Sequence, residues 1–150
     1  MDVNRDAPAL ARAETEIAAD PDTVWEVLTG FEGWPGWNPD VKSVTLEGPV
    51  DEGTVFRWKA GRATITSTIR HVDRPRQIGW TGKTKGIEAV HVWRLEPREH
   101  GTHVRTEESW AGFLVRLLGG SMRKNLQRSL DDGLAYLEAE AERRASRPGG

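Results

Sequence analysis

Residues 87–122 read IEAVHVWRLEPREHGTHVRTEESWAGFLVRLLGGSM, and the hydrophobic period changes inside this stretch. From Ile87 to Trp110 apolar side chains alternate with charged and hydroxyl ones. The alternation is interrupted only by the turn around Glu96–Gly101, so these residues predict two antiparallel strands of one hairpin. From Phe113 the period lengthens: Leu114, Leu118, Met122, Leu126, Leu130, Leu134 and Leu137 form a stripe of the 3.6-residue kind that reaches about Arg144. At its standard rise such a helix would approach about 48 Å, and Gly119-Gly120 is placed to kink it near its start.

Toward the amino terminus the period of two continues back to Val41. Turn residues punctuate it into six strands, approximately Val41–Leu46, Thr54–Lys59, Ala63–Val72, Gln77–Gly82, Ile87–Glu96 and Thr102–Trp110. A further strand is expected over Leu10–Ala18. Asp20-Pro21-Asp22 then supplies an N-cap acceptor, a proline at N1 and an acid near the positive end of a short helix ending by Gly30. The Gly- and Pro-broken run Phe31–Pro39 reads as a second helical piece or lid that carries Trp34 and Trp37. This order is α+β: a curved, seven-stranded antiparallel sheet, two short helices after its first strand, and one long carboxy-terminal helix that must cover the sheet's apolar face.

The chain has 150 residues, 21 Lys+Arg against 23 Asp+Glu, seven Trp and no Cys. That is one domain, large enough for a core and a cavity without cross-links. The missing cysteines exclude a disulfide scaffold, a thiolate metal site and a cysteine nucleophile. A net charge of −2 argues against a nucleic-acid or anionic-membrane specialist, while leaving room for a small basic patch. No run approaches a membrane span or a secretory signal, so a cytoplasmic protein, monomer or homodimer, is the expectation. Residues 1–9 and 146–150 read as flexible tails around a domain at 10–145.

Alternation also assigns an inner face. Placing Phe56, Trp58, Ile65, Ser67, Ile69 and His71 inside keeps Arg57, Lys59 and Arg70 outside, as burial cost demands. The same logic turns Ile78, Trp80, Gly82, Ala89, His91, Trp93, Leu95, Val104, Thr106, Glu108 and Trp110 inward. Turns at Lys83–Gly86 and Glu96–Gly101 pair Trp80 with His91, Trp93 with Thr106 and His91 with Glu108, giving a row Ile69, Trp80, His91, Glu108. A single bulge would break the register.

Four segments carry a resemblance. Ile17–Leu28, the Trp34-Pro35-Gly36-Trp37-Asn38-Pro39 lid, Ala89–Pro97 and Gly101–Trp110, followed by the long helix, together resemble the START-like (SRPBCC) superfamily and within it the polyketide cyclase/dehydrase family, over about Ala11 to Arg143. The resemblance implies a helix-grip fold, with the sheet wrapped around the carboxy-terminal helix and a hydrophobic cavity between them. It implies less about activity, because the fold serves lipid carriers, receptors, cyclases and chaperone regulators alike. Aromatase/cyclases of this kind position their polyketide with polar groups that include arginine, whereas the inward set here contains none.

The expected ligand is a hydrophobic small molecule, polyketide-like, isoprenoid or lipid. Trp37, Asn38, Phe56, Trp58, Ser67, Ile69, Trp80, Trp93, Thr106 and Trp110 are its candidate contacts on the sheet side, and Leu118, Met122 and Leu126 on the helix side. Ordinary aromatic and aliphatic core packing is the competing explanation for these positions. If the chain catalyses a reaction, His91 is the candidate general acid/base and Glu108 its orienter, against the plainer reading that the two satisfy each other. No metal or other cofactor is expected, since there is no Cys and no multi-ligand His/Asp/Glu set at metal spacing, and the absence of a Gly-x-Ser-x-Gly elbow argues against a serine hydrolase. The alternative reading is a non-catalytic interaction or stress-response module with a vestigial cavity.

Overall fold

The computed structural model describes residues 1–147. Its elements are β1 (Ala9–Ile17), α1 (Pro21–Thr29), a 3₁₀ helix (Phe31–Gly36), β2 (Val41–Leu46), β3 (Val55–Ala60), β4 (Ala63–Asp73), β5 (Gln77–Thr84), β6 (Ile87–Arg98), β7 (Gly101–Ala111) and α2 (Phe113–Ala145). All seven strands form one antiparallel sheet in the order β1-β7-β6-β5-β4-β3-β2. Only β1 leaves sequence order, pairing with β7, because α1 and the 3₁₀ helix carry the chain from β1 to the opposite edge. This is the expected helix-grip architecture.

Local chemistry starts and stops these pieces. The Asp20 carboxylate accepts a hydrogen bond from the Thr23 N–H at 2.8 Å, and Pro21 occupies the first helical position. The 3₁₀ helix is pinned where the Trp34 indole N–H donates to the Leu28 carbonyl at 3.0 Å. At the far end Gly112 (φ 114°) turns the chain from β7 into α2, and Gly119 (φ 34°, ψ −102°) breaks the helical path about two turns later.

The hairpins keep the register read from alternation: Ile69 opposes Trp80, Trp80 opposes His91, His91 opposes Glu108 and Trp93 opposes Thr106. One bulge intervenes, between Ile69 and His71. It reverses the facing of the end of β4, so Val72 packs against the core and His71, expected inside, instead comes within 4.0 Å of exposed Glu52.

The main core gathers Val24, Trp25, Val27 and Leu28 of α1, Phe31 and Trp34, Phe56, Ile69, Ile78 and Trp80 of the sheet, and Leu134, Leu137 and Ala141 of α2. A second cluster joins Val115, Leu126 and Leu130 of α2 to Ala9 and Ala11 of β1. No helix among the described residues is long and apolar enough to cross a membrane.

Residues 1–8 are not a free tail. They lie on the sheet's outer face, where Val3 is buried, the Asn4 N–H donates to Ser109 Oγ at 3.0 Å, and Arg94 and Gln77 donate to the Met1 carbonyl. Arg5 pairs with Glu107 at 2.6 Å, and Arg94 pairs with the same carboxylate at 3.2 Å. Glu107 and Ser109, outward by alternation, are therefore buried beneath this cover. At the other end Ser146 and Arg147 finish the helix, and residues 148–150 of the expected tail lie outside the described residues.

Candidate functional site

Between the concave face of the sheet, the 3₁₀ helix and α2 lies a cavity of about 300 Å³. Its sheet-side wall includes Trp58, Ser67, Trp80, Trp93 and Trp110, with Trp37 and Asn38 following the 3₁₀ helix. Gly82 leaves space in that wall: a Cβ there would stand 2.9 Å from Ser67 Oγ. Aromatic rings meet at tilted and edge-on angles through Phe31, Trp34, Phe56 and Trp80, with centroids 4.6–5.8 Å apart.

Several expected contacts lie elsewhere. Phe56 and Ile69 are fully buried in the core behind the wall. Thr106 is also buried, its hydroxyl bonded to His91 Nε2 at 2.8 Å and to the Val92 carbonyl at 3.2 Å, so it serves the histidine rather than the open space. On α2 the cavity meets Ser129, Leu130 and Gly133, not Leu118, Met122 and Leu126. The break at Gly119 separates the first turns from the rest of the stripe. Leu126 then packs on β1, Met122 flanks that cluster, and Leu118 is largely exposed. Leu28, Ala63, Thr84 and Ile87 complete parts of the wall that alternation alone did not single out as contacts. The sequence signal for the helix side was the pair of small residues Ser129 and Gly133, four apart in a stripe of leucines.

Among the polar side chains of the wall, which include Asn38, Asp40 and Ser67, His91 and Glu108 stand together, with side chains 15% and 14% exposed. His91 lies between Trp80, which it meets edge-on, and Trp93, which it meets at a tilt, with ring centroids 5.1 and 5.2 Å away. The Thr106 hydroxyl donates its proton to the Val92 carbonyl, so it accepts from His91 Nε2–H. That tautomer leaves Nδ1 as a bare acceptor, 3.5 Å from Glu108 Oε1. The other carboxyl oxygen of Glu108 accepts from the Trp110 indole N–H at 3.0 Å.

Burial governs both titrations. It pulls the His91 pKa down to about 3, and it pushes the Glu108 carboxyl up to about 7 against the smaller opposing effect of the Trp110 hydrogen bond. The pair is thus neutral just below pH 7, with the exchangeable proton on Glu108. Two further donors on the wall, the indole N–H groups of Trp37 and Trp93, are buried and have no partner among the described residues. Ser67 accepts from the Trp58 indole at 3.1 Å. Among the described residues no three His, Asp or Glu side chains gather at metal-ligand spacing.

A sequence profile described as polyketide cyclase / dehydrase and lipid transport matches residues 8–142. No curated protein sequence matches the chain. Among solved structures, the Zhui aromatase/cyclase from Streptomyces sp. R1128 superposes with a TM-score of 0.83 at 19% identity, covering 94% of this chain and 98% of that one. A START superfamily protein from Mycobacterium smegmatis gives a TM-score of 0.79 at 17% identity, with 89% and 97% covered. A hypothetical protein from Helicobacter pylori gives 0.82 at 16% identity, with 93% and 91% covered. At these identities the likeness is one of fold.

Proposed function

Because the chain belongs to the polyketide cyclase/dehydrase and lipid-transport family, we propose that it binds one flat, largely apolar small molecule in the cavity between sheet and α2, with an oxygen of that molecule directed at Glu108. The observation that carries this reading is a protonatable carboxyl on the wall of a tryptophan-rich cavity, held by the Trp110 indole and facing the bare Nδ1 of His91. A cavity of about 300 Å³ is at the small end of ligand pockets, which supports a compact ring system over a long acyl chain.

The same geometry supports an acid–base role, with the parts reversed from the sequence expectation. A group titrating near neutrality can both give and take a proton, and Glu108 is that group, while His91 is too weak a base for the task. Ionised, Glu108 accepts the proton of a C–H beside a ligand carbonyl, and the carboxyl so protonated then returns it to an oxygen of the ligand. His91, fixed by Thr106, orients the carboxyl. This is the chemistry that a cyclisation or dehydration of a poly-oxo compound requires, and it uses no arginine. The alternative of a vestigial interior is disfavoured by the open volume beside these groups.

The test is native mass spectrometry of the gently purified protein together with a titration by 1-aminoanthracene, read through tryptophan emission. A retained small molecule, or quenching at micromolar probe, is the expected outcome. No retained mass, unchanged emission and an unchanged melting temperature across a broad panel of aromatic compounds would mean that the cavity takes no such ligand.

A further inference from the structure

At the start of α2 the molecule exposes an apolar cluster that the cavity does not use. Phe113, Leu117 and Leu118 are 69%, 77% and 46% exposed, whereas Val115 between them is fully buried. Segment 113–118 is therefore anchored by one face and uncovered on the other, where Phe113, Leu117 and Leu118 stand beside Arg116. Glycines of positive φ delimit it at 112 and 119, so the six residues form a unit set apart from the rest of the helix. The Phe113 ring lies against the β5–β6 turn, 3.1 Å from where a Cβ of Gly86 would stand.

Cations predominate in the sequence next to this cluster, with Glu88, opposite Lys83 in the β5–β6 hairpin, the nearest acid along that turn. Residues 112–130 contain Arg116, Arg123, Lys124 and Arg128 and no acid, and the adjoining turn contributes Lys83 and Lys85. All six are exposed, and none forms an ion pair among the described residues. The other end of the same helix is different, since Arg143 and Arg144 both pair with Glu140. A chain of net charge −2 thus carries, among the described residues, cations without ion-pair partners in the same stretch as its exposed Phe113, Leu117 and Leu118.

We propose that this end of the molecule docks on an anionic lipid bilayer. Phe113, Leu117 and Leu118 enter the boundary between headgroups and acyl chains, and the six cations lie over the lipid phosphates. Apolar side chains projecting from a basic surface match a bilayer, which offers negative charge above hydrocarbon. Gly86 lies between Thr84 and Ile87, both on the cavity wall, so docking brings that side of the cavity to the lipid. The docking does not depend on which molecule the cavity holds.

Co-sedimentation of the intact chain with vesicles decides it. Binding to vesicles containing about 30% phosphatidylglycerol should exceed binding to pure phosphatidylcholine by about tenfold or more and weaken as salt rises. The double substitution Leu117→Ser, Leu118→Ser should lower binding to the anionic vesicles. Lys124→Ser with Arg128→Ser should remove most of the preference for them. These positions are exposed, so melting temperature and 1-aminoanthracene binding should stay at wild-type levels in both variants, which separates failure here from failure of the cavity reading. Absence of binding to anionic vesicles at low salt, or equal binding by wild type and both variants, overturns the proposal. So does a concentration-dependent dimer in sedimentation velocity that the Leu117→Ser, Leu118→Ser variant abolishes, since a second copy would then cover the patch.

Discussion

Glu108 and His91 are two buried titratable groups whose proton affinities are displaced in opposite directions, and each leaves a signature in stability. For Glu108 the folded pKa lies above that of the unfolded chain, so the folded state holds the extra proton and stability falls as pH rises from about 4.5 to about 7. For His91 the folded value is lower than the unfolded one, so stability is present above about 6.5 and is lost as pH falls toward 3. The two oppose each other between about 4.5 and 6.5. Glu108→Gln removes one of them while keeping an acceptor for the Trp110 indole. The variant should be more stable than wild type at pH 8 by roughly 3 kcal/mol, with the gap closing below about pH 4.5. Urea unfolding across that range measures it, and a gap independent of pH would mean that Glu108 is ionised in the native cavity. The position of these residues was legible in the sequence because a strand period of two and two short turns leave little freedom of register. Their protonation was not. The sequence shows a histidine opposite a glutamate, which suggests a charged pair, and only the surrounding Trp80, Trp93 and Trp110 reveal that burial outweighs the attraction.

At the scale of elements, alternation located every strand to within a few residues but failed at the end of β4, where the bulge after Ile69 exchanged His71 for Val72. A bulge inserts one residue without changing composition, so nothing local in Thr68–Asp73 announces it. The helix posed the opposite difficulty. A continuous stripe from Leu114 to Leu137 implies one buried face along a straight axis, whereas α2 breaks at Gly119 and distributes its leucines over two clusters and the cavity. The distribution orders the cost of truncation. Leu137 is enclosed by the main core, so Leu137→Ala should lose about 3–5 kcal/mol. Leu130 is equally buried but one side adjoins the cavity, and Leu130→Ala enlarges a space that already exists, so about 2–3 kcal/mol is expected. Chemical denaturation of the two variants would sink this ordering if Leu130→Ala proved the more costly.

For the molecule as a whole, the sheet is a wall with a different tenant on each side, and only the inner one could be read from patterning. The outer tenant, residues 1–8, is polar and contains a proline, which made it look like a tail; its contacts to Gln77, Arg94, Glu107 and Ser109 are too distant in sequence to register as a pattern. The Arg5 hydrogen bond holds the Glu107 carboxyl below its ordinary range, with burial opposing it and Arg94 adding to it. A depressed carboxylate stabilises the fold above the unfolded carboxylate pKa and loses that contribution as pH falls through its own. Arg5→Ala should therefore melt below wild type at pH 7, and the two curves should converge in acid. The inner side carries the opposite compromise, a volume kept open at the expense of packing. Ala89 lines that volume and is paired across the sheet with Gly82, which has no side chain to contest the space. Ala89→Leu should fill part of the cavity over Gly82, leaving stability unchanged or raised by about 0.5–2 kcal/mol while 1-aminoanthracene affinity falls by about tenfold or more. A stabilised variant that still binds the probe at wild-type strength would place the probe outside the cavity. A variant that loses stability, beside a wild type that takes up no probe, would mean that the space is closed by packing in solution, because a filled interior, unlike an open one, has no room to accept three methylene-sized groups without strain.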